Sequence, residues 1–145
     1  MSSDRPKHVL WIGLFALGCA GTAPAPTPAG TLPPCPDKPN CVSSLAPDDD
    51  HRTEPFTLSG EKGWTALRAA VAAMPRTVIV DERDGYLRAE ATSRIFRFVD
   101  DLELLRSGSS DRVDVRSASR VGHGDMGVNR ERVEALRAAL EPAKP

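Results

Sequence analysis

The sequence predicts an α+β domain: an antiparallel four-stranded meander with two helices packed on one of its faces, in the order helix, strand, strand, strand, strand, helix. Three observations carry this. Trp64, Leu67, Val71 and Met74 recur at steps of three and four, the spacing that lines one face of an α-helix. Between Arg76 and Arg120, β-branched and alternating runs are separated by turn residues, as in consecutive hairpins. Val133, Leu136 and Leu140 then return to the helical period. Alternation in the strands means that one face of the sheet meets water, so both helices must cover the other.

Each element has its own local grounds. Ser59 is an N-cap candidate with Glu61 in the first turn, and Pro75 stops the first helix after Met74. The first strand covers Arg76–Glu82, Arg83-Asp84-Gly85 is a tight-hairpin signal, and Tyr86–Thr92 should pair antiparallel with the first strand. Ile95–Arg106 alternates Phe96, Phe98, Leu102 and Leu104 with Arg97, Asp101 and Glu103, although Asp100 interrupts the apolar side. A turn at residues 107–110 leads into Arg112–Arg120, where Val113 and Val115 alternate with Asp114 and Arg116. The last helix should start near Asn129, a natural N-cap, or earlier with Asp125 as the cap, and end at Pro142.

Composition sets the outer limits. Hydrophobic residues make up 40% of the chain and charged residues 27%, as in globular proteins, while aromatics at 5% leave the core to Val, Leu, Ile and Ala. A net charge of −1 supplies no field for nucleic acid, which is set aside as a partner. Residues 1–19 read as a leader: Arg5, Lys7 and His8 precede the apolar run Val9–Gly18, too short to span a bilayer but suited to a signal-peptide core. The run Leu14–Cys19 resembles a bacterial lipobox, which implies lipidation of Cys19 and anchoring on the periplasmic side of the envelope. An ordinary secretory leader cut at Ala20-Gly21 or Thr22-Ala23 is the alternative. Ala20 after the cysteine implies, by resemblance to bacterial lipoprotein sorting, the outer membrane.

Residues 20–34 hold Ala, Pro, Thr and Gly without charge, a composition that cannot form a core and favours an extended tether. At about 3.1 Å per residue it would reach roughly 45 Å. Residues 35–145 then form one domain, about 110 residues and enough for a single core. With Cys19 lipidated, Cys35 and Cys41 are the remaining thiols, and in an oxidising periplasm they should form a disulfide. Closing that loop is worth about 2.4 kcal/mol in the chain-entropy treatment. A zinc site would need four ligands, and no second Cys pair or nearby His pair supplies them. A redox-active pair would have the two-residue spacing at a helix start that lowers a thiol's pKa, which is lacking here.

Chemistry-bearing residues gather between Arg116 and Val133. Gly122-His-Gly124-Asp-Met-Gly127 matches the dinucleotide fingerprint, but no second parallel strand or later acid follows, so the glycines read as turn residues. Arg130 and Arg132 stand in the first turn of the last helix, where the macrodipole disfavours cations by roughly 0.3–1 kcal/mol each. One explanation is an arginine–carboxylate lock between helix and sheet, with Asp101 or Glu103 pairing Arg116 across the strands. The other is an anion site in which Arg120 and Arg130 join backbone N–H groups at the helix start. Its ligand-binding residues would be Arg116, Ser117, Ser119, Arg120, Asp125, Asn129 and Arg130. Alternation places Ser117 and Ser119 on the helix side with Val113 and Val115, as polar supports that need partners.

The partner implied is a small anionic ligand or an envelope protein. A hydrolase or transferase acting on an acidic substrate through the same cluster is the alternative, and a scaffold using an exposed sheet face around Arg88, Glu90, Arg97 and Glu103 is a third reading. His123 and Asp125, two apart, could suggest a base or a metal pair, but a His in a glycine turn is more often solvated or structural, and two side chains do not close a metal site. His8 in the leader and His51 in the acidic loop show no evident partner, and no cofactor or metal is implied. The pattern Arg-Ser-x-Ser-Arg-x-Gly then Asp-x-Gly-x-Asn-Arg over Arg116–Arg130, together with Cys35-Pro-Asp-Lys-Pro-Asn-Cys-Val-Ser-Ser44, resembles the domain of unknown function 1499 family. The resemblance spans roughly Cys35 to Leu140. It marks a family and implies no chemistry.

Overall fold

The computed structural model describes residues 21–24, 30–106, 108 and 110–141. The leader, Cys19 and the stop expected at Pro142 lie outside them. The fold is α+β, with two helices against a largely antiparallel sheet. The elements are β1 (Cys41–Ser43), β2 (Phe56–Thr57), α1 (Gly60–Ala73), β3 (Thr77–Arg83), β4 (Tyr86–Thr92), β5 (Val99–Arg106), β6 (Arg112–Ser119) and α2 (Val128–Leu140). The four-stranded meander is therefore the centre of a six-stranded sheet, ordered β1-β6-β5-β4-β3 with β2 also paired to β6.

The two added strands correct the expected topology, and their size explains why. Three and two residues are too few to show a period. Both pair antiparallel along β6, whose outer edge would otherwise expose unpaired backbone groups. Ser44 extends that cover, since its hydroxyl accepts from Val115 N–H at 3.0 Å and donates to Asp114 Oδ1 at 2.8 Å.

One face of the sheet builds the core. Val42, Leu87, Ala89, Leu102, Leu104, Val113 and Val115 meet Trp64, Leu67 and Val71 of α1 and Val133 and Leu136 of α2. Each fully buried leucine contributes about 1.5–3 kcal/mol. Helix α1 ends as its sequence implies, with Met74 at the C-cap before Pro75. Ser59 occupies the N-cap without a side-chain bond, and Asp111 does that work from the β5–β6 connection by accepting Gly60 N–H at 3.0 Å. In the β3–β4 hairpin Gly85 has a φ of +68°, and a Cβ there would lie 2.8 Å from Arg106 O.

Strand β5 departs most from expectation. It begins at Val99, and Phe96 and Phe98 are exposed instead of sharing the inward face with Leu102 and Leu104. The strand is cut short because Ser93 N–H donates to Phe98 O at 2.8 Å and Arg97 takes a φ of 58°, folding residues 93–98 into a closed loop. The second departure concerns the face turned away from the helices, which is not a simple solvated surface. Asp101, Glu103, Asp114 and Arg116 on that side are all nearly buried, and Leu32 of the N-terminal segment packs there with Tyr86 and Leu105. Of the sheet face around Arg88, Glu90, Arg97 and Glu103, Glu103 is 1% exposed and offers no surface to a partner, whereas Arg97 is exposed.

Candidate functional site

Period-two alternation at the end of β6 sends its side chains to opposite faces, and this divides the predicted cluster into three. Ser117 and Ser119 point to the helix side. Ser117 donates to Asn129 Oδ1 at 2.6 Å, and Asn129 Nδ2 reaches Ser119 Oγ at 3.0 Å, Asp125 Oδ2 at 2.7 Å and the Asn40 carbonyl at 3.1 Å. Arg132 closes the group: its Nη1 donates to Ser117 Oγ at 2.9 Å and Asn129 Oδ1 at 2.6 Å, and its Nη2 to Asp100 Oδ2 at 2.6 Å. Asn129 is fully buried. It pins α2 to β6 and to the residue before β1, while Arg132 ties the helix to Asp100 of β5.

Asn129 therefore is not the N-cap that its residue type suggests. The helix starts at Val128, behind Gly127 in the left-handed region, and Asp125 accepts the N–H groups of Gly127 and Asn129, each at 2.9 Å. Partial burial pushes the Asp125 carboxyl up, but these N–H bonds and the Asn129 amide outweigh it and hold it below the ordinary carboxylate value. A carboxyl lowered on folding stabilises fully above its unfolded value, about 3.9, and loses that contribution as pH falls through the lower folded value. Urea titrations across acid pH should show this dependence in the wild type and a flatter profile in Asp125→Ala, which should also cost about 1 kcal/mol at neutral pH as a lost cap. Identical acid profiles would remove Asp125 from this role.

Arg116 and Arg120 face the other side. Arg116 Nη1 donates to Glu103 Oε2 at 2.8 Å, and the same carboxylate accepts Tyr86 OH at 3.0 Å. Arg120 forms a two-point pair with Asp101, at 2.7 and 2.8 Å, and a further bond to Glu90. Arg88 joins Asp101 at 3.0 Å. The Asp101 carboxylate pushes Arg120 further above its already high range, against burial and with help from Glu90. These arginines are committed to carboxylates.

Arg130 lies apart from both networks. Its guanidinium donates to the carbonyls of Arg52 and Asp50, both at 2.8 Å, on the wall of a cleft of about 510 Å³ lined also by Asp37, Lys38, Asp50, His51, His123 and Asp125. The Cys35–Cys41 disulfide, with Cα atoms 5.6 Å apart, closes the loop that forms another wall. His51, which the sequence left without a partner, sits between Asp48 Oδ1 at 2.7 Å from Nδ1 and the Lys38 carbonyl at 3.0 Å from Nε2. Both neighbours are acceptors, so the ring fits best as an imidazolium. The Lys38 carbonyl, then Asp48, accordingly raise its pKa above the ordinary value.

Ser117, Ser119, Asp125 and Asn129 are thus brought together, while Arg116 and Arg120 are turned away and Arg130 stands on the cleft. Ser117 and Arg120 do not line the cleft that takes in Asp125. Arg132, Asp100 and Asn40 complete the buried group without having been assigned to it from sequence. Asp100 carried a signal, as a carboxylate on the apolar parity of β5. Among the described residues no group of three or more His, Cys, Asp or Glu could hold a metal ion.

Comparison with curated proteins gives no match. A family described as "Protein of unknown function (DUF1499)" matches residues 31–140, most of the chain and all of the elements that build these networks. The chain belongs to that family, and the Arg116–Arg130 pattern that carried the resemblance is the part of it that ties α2 to the sheet.

Proposed function

We propose that this protein is a lipid-anchored domain on the periplasmic side of the bacterial envelope, most naturally at the outer membrane, that binds a small anionic ligand or the acidic segment of an envelope partner without catalysing a reaction on it. The cleft at the start of α2 is the site. One observation carries this reading: Arg130 is held by carbonyl oxygens alone, so its position is fixed while no carboxylate among the described residues neutralises it. Lys38 on the same cleft adds positive charge, while the His51 ring is paired with Asp48 and the Asp37 and Asp50 carboxylates also line the cleft, so Arg130 and Lys38 are the cations it offers to an anion. The Asp125 carboxylate, although nearby, is consumed by three N–H donors. Arg116 and Arg120 act as structural cations in this reading, with the buried Asn129 group holding the cleft wall still.

Inorganic phosphate is the simplest probe. At ten times its Kd it would add about 1.4 kcal/mol of stability, which raises the melting temperature by several degrees in a domain of this size. That rise should disappear in Arg130→Gln and should not be reproduced by chloride at matched ionic strength. An equal rise in both proteins would remove the site from the cleft. Anchoring has a separate readout: labelled palmitate should enter the wild type and not Cys19→Ser, and incorporation into both would place the lipid elsewhere.

A further inference from the structure

The loop Ser93–Phe98 between β4 and β5 takes part in neither network. Its ends are tied, Ser93 N–H to Phe98 O at 2.8 Å and Phe98 N–H to Ser93 Oγ at 2.9 Å. A loop closed in this way holds its side chains in set positions. Those it holds outward are apolar: Ile95 is 77% exposed, Phe96 71% and Phe98 39%, with the two phenyl rings stacked 5.5 Å apart. Single exposed apolar residues are ordinary, whereas three on one tied loop mark a contact surface. Arg94 and Arg97 are interleaved with them, and Arg76 lies alongside with its Nε on Thr92 O at 3.0 Å. None of these three arginines has a carboxylate partner among the described residues, and the loop itself contains no acid.

The chain's N-terminal segment arrives at the same end of the sheet. A Cβ built on Gly21 would lie 2.7 Å from Arg120 Cβ and 3.0 Å from Val121 Cγ1, so this glycine is pressed against the end of β6. Arg120 N–H in turn bonds Val99 O at 3.2 Å, directly after Phe98. Ala20 alone separates Gly21 from Cys19, so the two residue-to-residue steps span roughly 7 Å.

We propose that Ser93–Phe98 is an interfacial membrane contact. Ile95, Phe96 and Phe98 enter the boundary between headgroups and acyl chains, and Arg76, Arg94 and Arg97 meet lipid phosphates. The inference rests on the anchoring at Cys19 proposed above and adds what an anchor alone does not supply, a defined orientation. Interleaved cations and aromatics on a tied loop suit an anionic bilayer surface. A lipid attached two residues upstream of Gly21 brings that surface to this end of the domain, where the effective concentration of headgroups is high. The domain then sits with this end on the bilayer, and the reach of residues 20–34 is not spent on distance from it.

The test uses the full lipid-modified chain carrying Phe96→Trp, reconstituted in vesicles of phosphatidylethanolamine and phosphatidylglycerol with and without brominated acyl chains. Trp64 is buried, so the emission added relative to wild type reports on the loop. That emission should shift to the blue and lose roughly half its intensity to brominated lipid, as expected for a ring at the headgroup–acyl boundary. Lys62→Trp, at the far end of the sheet, should stay unquenched. Adding Arg94→Glu and Arg97→Glu should abolish the quenching of Trp at position 96 while the chain still floats with the vesicles.

Flotation without quenching overturns the loop contact and leaves the anchor standing, whereas a chain that does not float removes both. Equal quenching at positions 62 and 96 overturns the orientation. A blue shift that grows with protein concentration in the absence of lipid assigns the patch to a second copy of the chain and overturns the proposal as well.

Discussion

Asn129→Ala is expected to lower the free energy of unfolding by about 3–5 kcal/mol, because it leaves several buried polar groups unsatisfied at once. The side chain is fully buried, and its amide bridges Ser117, Ser119, Asp125, Arg132 and the Asn40 carbonyl. No single replacement reproduces this. Aspartate keeps the acceptors but loses the Nδ2 donor and sets a second carboxylate beside Asp125. Leucine fills the volume but leaves the Ser117 hydroxyl without its acceptor and Arg132 with fewer partners. Urea unfolding of Asn129→Ala gives the measurement, and a loss below about 1 kcal/mol, the net value of one ordinary hydrogen bond, would show that water replaces the amide. The site has little room for that, since Ser117 and Val133 around it are also fully buried.

Glu103→Leu should cost a similar amount, about 3–5 kcal/mol, for a different reason. Glu103 and Arg116 are buried on the face away from the helices, and removing the carboxylate leaves an uncompensated guanidinium there. The diagnostic result is the double variant Glu103→Leu with Arg116→Met. A buried ion pair replaced by apolar residues of similar volume is often neutral or stabilising, so the double variant should recover most of the loss. The Tyr86 hydroxyl, which loses Glu103, would account for a remaining deficit of about 1 kcal/mol. If the double variant were as unstable as the single one, the pair would be contributing net stability through its geometry. The cost would then not come from the stranded charge.

Much of the fold could be read from the residues because burial writes a period into them. Trp64, Leu67 and Val71 announced α1, Val133 and Leu136 announced α2, and Ser117 and Ser119 followed Val113 and Val115 to the helix side by parity alone. The same parity placed Arg116 and Arg120 on the opposite face, so a site that joined Arg120 to Arg130 already ran against the alternation that oriented the serines. Proximity in sequence concealed this: residues adjacent along a strand are separated by its full thickness.

Other features had no one-dimensional trace. Strands of two or three residues show no period, and β1 and β2 exist because β6 needs an edge partner. Phe96 and Phe98 matched the period of Leu102 and Leu104, but the bonds between Ser93 and Phe98 closed a loop before the strand began. The charged residues of β5 suggested a wet face. A mutual pairing of Arg88, Arg116 and Arg120 with Glu90, Asp101 and Glu103 instead makes that face nearly self-contained.

By itself, then, the sequence determined the α+β class, the two helices, the central four strands, the Cys35–Cys41 pairing and the family. Each of these depends on local chemistry or on a repeat in hydrophobicity, and both are properties of one stretch of chain. The tertiary structure alone decided which arginines are spent on carboxylates and which is not. That outcome depends on partners such as Glu103 for Arg116 and the Asp50 and Arg52 carbonyls for Arg130, brought in from distant segments. Charge in a sequence carries a sign but no address, and only folding supplies the distance that makes one arginine a lock and leaves another facing a cleft.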